Sequence, residues 1–334
     1  MRDTATMTNR ALQVACQFLT ERQSPDGAWR SDTYGVFREG DALTPLVAYA
    51  LLTLDGFRDS ALRGLEYLAG KVGAEGNIDE GRFGLTYPVY TAGFAVRGFC
   101  RLNTPHRTIA ARAWLRFLEA RQLTEDRGWL PTEPDFGGWG YCKDLPRKPP
   151  PGSMPLLQTM SNLSATAIAL DALRAAQYAP SDASLTRALL FVQRCQNFCE
   201  GSNPSKGSVS PEPEFDDGGF FFIHGDPERN KAGVAGNDVA GRQRYRSYGS
   251  MTADGLRCLL ACGLPRDHPR VLATLDWLGR HFTVTNILAD SPVNEPPCRR
   301  LYSSTTAGRW PSHCGRRVLC SLRRRPARCA GLMS

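Results

Sequence analysis

The sequence predicts an all-α chain built from paired outer and inner helices, and three observations carry that prediction. An aromatic–aliphatic pair recurs five times, a Thr-Ala step recurs between copies, and the segments holding the two alternate between amphipathic and apolar.

The first copy reads Phe18-Leu19, Gln23, Gly27-Ala28-Trp29, and the second reads Tyr67-Leu68, Val72, Gly76-Asn77-Ile78 at identical spacing. Phe117-Leu118 with Gln122 and Gly128-Trp129 gives a third, Phe191-Val192 with Gln196 a fourth, and Trp277-Leu278 with Phe282 a fifth. The first three begin 49 and 50 residues apart, the length of one helical hairpin with its turns, whereas the later gaps are 74 and 86. Gly- and Pro-rich insertions at about 125–155 and 200–242 account for the growth. The second insertion carries Asp216-Asp217-Gly218-Gly219 ahead of Phe220-Phe221-Phe222, the pattern of a small hairpin or a lid.

Each copy closes a helix with one apolar face: Ala11, Val14, Ala15, Phe18 and Leu19 in the first, Ala111, Trp114, Leu115 and Leu118 in the third. These are the outer helices. Segments 45–54, 88–102, 161–176 and 247–262 are apolar nearly all round and are the inner ones. Thr44-Pro45 and Tyr87-Pro88 place proline where a first helical turn tolerates it, and Thr91-Ala92, Thr166-Ala167 and Thr252-Ala253 form the second repeat. A fifth inner helix is expected after residue 282.

Charge divides the chain. Residues 298–334 hold nine arginines, no lysine and no acidic residue, so a net charge of +8 overall leaves the first 297 residues at −1. Four of the 11 cysteines, Cys298, Cys314, Cys320 and Cys329, fall in the same stretch. Arg, Cys, Pro, Ser and Ala without apolar periodicity is what a shifted reading frame in a GC-rich gene produces. That reading is preferred to a metal- or nucleic-acid-binding tail, because paired zinc-ligand spacing and aromatic interleaving are both missing. A nearly neutral body argues against nucleic acid as a partner. Apolar stretches are too short for a membrane span and the N-terminus lacks a signal-type apolar run, so a cytoplasmic protein is expected. The seven remaining cysteines show no disulfide framework.

An aromatic–aliphatic pair, then Gln, then Gly-x-Trp resembles the Gln-Trp repeats of squalene and hopene cyclases and the related repeats of protein prenyltransferase β-subunits. The resemblance spans 8–297, leaving 298–334 as an irregular Arg- and Cys-rich tail. It implies an α/α toroid in which inner helices surround a cavity for an isoprenoid and outer helices pack around them. Gln23, Trp29, Gln122, Trp129 and Gln196 are expected to hold turns and helix ends together rather than to meet a ligand.

Two departures bear on activity. Class II terpenoid cyclases protonate their substrate with an Asp-x-Asp-Asp-Thr-Ala motif, and setting its Thr-Ala on Thr166-Ala167 puts Asn162, Leu163, Ser164 and Ala165 where the acids belong. Protein prenyltransferases need an Asp-x-Cys pair with a distant His for zinc, and no Asp-x-Cys occurs. Cys195 with Cys199 and Cys258 with Cys262 are one turn apart, with His224, His268 and His281 as possible third ligands, but buried thiols on helices are the commoner case. No metal and no cofactor is expected.

Polar and aromatic residues remain at the starts of inner helices. Asp41, Tyr87, Tyr90, Asn162, Tyr245 and Tyr248 are the candidate ligand-binding residues, and Asp254 is the candidate acid. The leading expectation is a cyclase-like or prenyltransferase-like toroid that takes an isoprenoid or lipid, with peripheral membrane contact compatible with such a ligand. The alternative is a non-catalytic toroid binding a protein or peptide. A polysaccharide lyase, which would need a Tyr, His or Arg cluster, has only Arg244-Tyr245-Arg246 in its favour.

Overall fold

The computed structural model describes residues 2–82, 84–102, 105–153, 159–200 and 212–282. All of them fall within the unit Met1–Ser291. The Arg-rich tail and the expected fifth inner helix lie outside the described residues.

Helices dominate, as the repeat predicts. They are α1 (Arg2–Glu21), α2 (Thr44–Leu51), α3 (Arg58–Ala69), α4 (Pro88–Cys100), α5 (Pro105–Glu119), α6 (Leu163–Ala175), α7 (Ala183–Arg194), α8 (Gly249–Ala261) and α9 (Pro269–His281). Antiparallel strands β1 (Val234–Asn237) and β2 (Gln243–Tyr245) make a small hairpin in the second insertion. Among the described residues no helix is long and apolar enough to cross a membrane.

The apolar segments pack on one another in chain order, α2 on α4, α4 on α6 and α6 on α8. The amphipathic helices flank them: α3, α5, α7 and α9 each pack against the inner helix before, and α3, α5 and α7 also against the one after. Small residues permit the close approach of inner helices; a Cβ on Gly93 of α4 would fall 2.4 Å from Ile168 Cγ2 of α6. Neighbouring inner helices are parallel. Tyr90 near the start of α4 bonds Ser164 near the start of α6, and Arg97 pairs with Asp171 one stretch of seven residues further along both.

The repeated Gln, Trp and Thr form one buried joint. Trp29 Nε1 donates to the Leu19 carbonyl at 2.7 Å and Trp139 Nε1 to the Leu118 carbonyl at 2.9 Å, covering carbonyls in the last turns of α1 and α5. The backbone N–H of Trp29 donates to Thr44 Oγ1, that of Trp139 to Thr166 Oγ1 and that of Phe220 to Thr252 Oγ1, at 2.9 to 3.1 Å. Gln23 and Gln122 Nε2 each donate at 2.8 Å to a glycine carbonyl of the turn, Gly27 or Gly137, and to a first-turn carbonyl of the next outer helix, Ser60 or Ser184. Gln196 does the same with Gly218 and Arg270. In two of the three Thr-Ala steps, Thr166-Ala167 and Thr252-Ala253, the threonine is therefore the receiving half of the joint; Thr44 of Thr44-Pro45 plays that part in the first copy, and Thr91 Oγ1 instead donates to the Thr86 carbonyl.

Two assignments from sequence are corrected here. In the third copy the joint uses Gly137-Gly138-Trp139, not Gly128-Trp129, because the insertion falls between Gln122 and its glycine turn. Trp129 instead packs with Leu123 and Phe136 in a small separate cluster. In the fourth copy Gly218-Gly219-Phe220 is the turn itself, so Asp216-Asp217 introduces a repeat element rather than a lid. The degraded second copy keeps its bridge, Val72 to Ile78, and its Leu68 carbonyl is met at 3.2 Å by Trp114 Nε1 from α5.

Candidate functional site

The starts of α4, α6 and α8 bring together four tyrosines, two of them from α4 and its cap. Tyr90 and Tyr141 are stacked with ring centroids 6.2 Å apart, and Tyr87 stands edge-on to both at 6.1 and 6.2 Å. Phe37 flanks Tyr87 at 6.2 Å. The Tyr90 hydroxyl donates to Ser164 Oγ at 2.9 Å. Tyr248, the N-cap of α8, is buried.

Tyr87 holds φ 52°, ψ 57°, a left-handed conformation that a bulky L-residue adopts at a cost of about 1–2 kcal/mol. Pro88 fixes the first turn of α4 behind it, and the strained backbone turns the half-exposed Tyr87 ring onto Tyr90 and Tyr141. Such strain in a non-glycine residue marks a position the surrounding structure enforces.

Burial raises the phenols of Tyr90, Tyr141 and Tyr248 above the ordinary tyrosine range, and the negative charge of Asp254 adds to this at Tyr90 and Tyr248. Tyr141 is further raised by Tyr90, Tyr87 and Tyr248, which places it among the other three. Asp254 lies one turn into α8. Burial raises its carboxyl, while Arg257 at 2.6 Å opposes the shift and Asp171 reinforces it. Arg257 also reaches Asp171 at 2.5 Å, and Asp171 reaches Arg97 at 3.3 Å, tying α8, α6 and α4 together. A carboxyl gripped by guanidinium is a poor acid for protonating an alkene, and its charge is already met by Arg257.

The other sequence-derived residues are placed elsewhere. Asn162 is fully buried as the N-cap of α6, its Oδ1 accepting from Ala165 N at 2.9 Å, and its Nδ2 has no partner among the described residues. Asp41 accepts from Tyr67 Oη and Lys71 Nζ, both at 2.9 Å, and belongs to an ion pair with the end of α3. Tyr245 sits on β2, packs on Phe221 at 5.2 Å and donates to Gln243 Oε1 at 3.0 Å. Tyr141, in the first insertion, is the member of the cluster that the sequence reading omitted, because it lies on no helix and in no repeat.

A second buried group lies beneath the insertions. Burial lowers His224 to about 4, its Nε2 has no partner among the described residues, and its ring stands edge-on to Phe221 at 4.9 Å. Asp135 is raised to about 6 by burial against a backbone bond from Ser161 N at 2.9 Å. Cys195 is buried and its thiol is pushed up. Among the described residues no group of three or more His, Cys, Asp or Glu side chains is arranged to hold a metal, and all seven cysteines there are free thiols.

No protein-family model matches the chain, and no curated protein is significantly similar to it.

Proposed function

We propose that this is a terpenoid-cyclase-like or prenyltransferase-like helical-repeat protein, with its inner helices set in a toroid. On this reading it binds an isoprenoid or similar lipid at the tyrosine-bearing ends of α4, α6 and α8 without cyclising it by the usual protonation. The gathering of Tyr87, Tyr90, Tyr141 and Tyr248 beside the Asp254 carboxylate carries the reading. Stacked faces offer apolar area and a negative surface, which suits an unsaturated chain. Ser164 and Asn162 supply hydroxyl and amide where a cyclase has carboxyls, and neither protonates an alkene at a useful rate.

The test is a titration of purified protein with a fluorescent farnesyl analogue, read by energy transfer from tyrosine. Saturable binding is expected, weakened about tenfold by Tyr141→Ala, which removes one aromatic face from the cluster. Squalene incubated with the protein is expected back unchanged. Polycyclic products would make Asp254 the acid, to be checked with Asp254→Asn. No saturable binding in a protein that melts cooperatively would end the lipid reading. A peptide-binding surface is the second reading, favoured because the tyrosine rings pack on one another.

A further inference from the structure

The opposite ends of the same inner helices carry a different chemistry. Tyr49 of α2, Arg97 and Cys100 of α4, Arg101 just beyond it, and Asp171 and Arg174 of α6 line an open cleft of about 540 Å³. Arg97 Nη2 donates to the Tyr49 hydroxyl oxygen at 2.9 Å and Arg101 Nη2 to the same oxygen at 3.1 Å. Both guanidinium groups also lie over the Tyr49 ring, 4.3 and 4.7 Å from its centroid. Arg97 has a carboxylate partner in Asp171 at 3.3 Å. Arg101 and Arg174 meet neutral oxygens, the Tyr49 hydroxyl and the Tyr178 carbonyl, and no carboxylate lies within ion-pair distance of either among the described residues.

Cations in the last turn of a helix compensate its macrodipole, and that accounts for Arg97 and Arg174 where they stand in α4 and α6. It does not account for two guanidinium groups converging on one neutral atom, where like charges repel. Nor does it account for the cleft between them. A phenol oxygen that accepts two bonds has used both lone pairs, so its own proton is free to be donated.

We propose that this cleft binds a phosphate-type oxyanion, held by Arg97, Arg101 and Arg174 and by the Tyr49 hydroxyl proton. Guanidinium forks match the oxygens of a tetrahedral anion, and an anion between Arg97 and Arg101 removes the repulsion that the unfilled arrangement carries. Asp171 on the same wall is already matched by Arg97 and Arg257, so its charge is offset. Along α4 the cleft stands about 16 Å from the tyrosine cluster, measured from Tyr90 to Arg101, and Arg257 links the two by pairing with both Asp171 and Asp254. The cleft is open, so the anion is either a soluble phosphate ester or the headgroup of an acidic phospholipid.

Cys100 provides a reporter on the cleft wall, since its thiol is exposed. Full-length protein is titrated with inorganic phosphate while Cys100 alkylation by neutral iodoacetamide is followed by peptide mass spectrometry, with Cys142 as the internal control. Saturable binding is expected, with Cys100 slowed and Cys142 unchanged. Arg101→Gln and Arg174→Gln should each weaken binding by about tenfold or more, and Arg101→Lys by less. In a second arm, vesicles of phosphatidylcholine with and without phosphatidic acid are sedimented with the protein. Co-sedimentation that needs phosphatidic acid and is reversed by inorganic phosphate assigns the site to a headgroup; phosphate binding without it assigns the site to a soluble ester. The proposal is overturned if inorganic phosphate gives wild-type Cys100 no saturable protection and phosphatidic acid gives no co-sedimentation. It is equally overturned if folded Arg101→Gln and Arg174→Gln proteins bind as well as wild type.

Discussion

At their starts α4, α6 and α8 are held by buried, mostly uncharged groups: the Trp139 and Phe220 amides on threonine hydroxyls, the Asn162 cap, and tyrosines packed on tyrosines. At their ends the same helices are held by charge, with Arg257, Asp171 and Arg97 running from α8 across α6 to α4 near solvent. The difference follows from where the repeat joint sits. Each Gln-Trp turn packs against the start of an inner helix, so that end is dry and geometrically fixed. At the far end the negative poles of α4 and α6 are met by Arg97 and Arg174 in their last turns. One end is therefore expected to respond to deletion of packing and to pH, and the other to salt.

The largest effect is expected from Trp139→Ala. Its side chain is fully buried and its indole and amide both bond across the joint, so truncation should cost about 3–5 kcal/mol in denaturant unfolding. Trp129→Ala removes an indole from a small satellite cluster with Leu123 and Phe136 and is expected to cost less. Equal costs would break the assignment of the third joint to Trp139, and with it the account of why the helix starts are rigid.

That pair of tryptophans also shows what the sequence made legible. Helix positions followed from the Phe18-Leu19 type of pair and from apolar runs such as 88–102, because periodicity depends on each helix alone. The partner of Gln122 was misread because an insertion put the correct glycine turn 15 residues after Gln122, where the first copy has it four after Gln23, past a nearer Gly-Trp at the wrong distance in space. Tyr87, Tyr90 and Tyr248 could be named because repeat register brings helix starts together. Tyr141 comes from an insertion, whose path is set by tertiary packing such as its stacking on Tyr90. Asp41 and Tyr245 occupied suitable positions in the chain, but Lys71 claims the first and the β1–β2 hairpin carries the second away.

A smaller effect, of definite sign, comes from pH at the joint end. Asp135 holds its proton to about pH 6 in the folded state, above the ordinary carboxyl value, so the native state binds more protons between about 4 and 6 and stability is lost as pH rises through that window. His224, lowered to about 4, acts the opposite way: the unfolded chain binds more protons between about 4 and 6.5, so stability is lost as pH falls. The two nearly cancel in the wild type. Asp135→Asn keeps the acceptor for Ser161 N and removes the ionisation, so it should stabilise the protein at pH 7 by about 1–3 kcal/mol. It should also expose the His224 slope, with stability rising from pH 4 to 6.5. Thermal melts across that range check it, and a variant no more stable than wild type at pH 7 would mean that the Asp135 carboxylate is solvated.

The smallest effect belongs to the arginine end. Asp171 accepts from Arg97 and Arg257 while remaining partly exposed, so its two ion pairs are weakened by water and by side-chain entropy. Asp171→Asn leaves both cations within reach of solvent, where each can rehydrate, and should cost about 1 kcal/mol at low ionic strength. At about 1 M salt the screening length falls to about 3 Å and the difference between variant and wild type should shrink towards zero. Urea unfolding at both salt concentrations makes the comparison, with Trp139→Ala measured alongside as a variant whose cost salt should not reduce. If the Asp171→Asn penalty persisted undiminished in high salt, the ion-pair chain would be holding the helix ends by packed, water-excluded contacts. The contrast between the two ends of the inner helices would then be one of degree, since both would be fixed by burial.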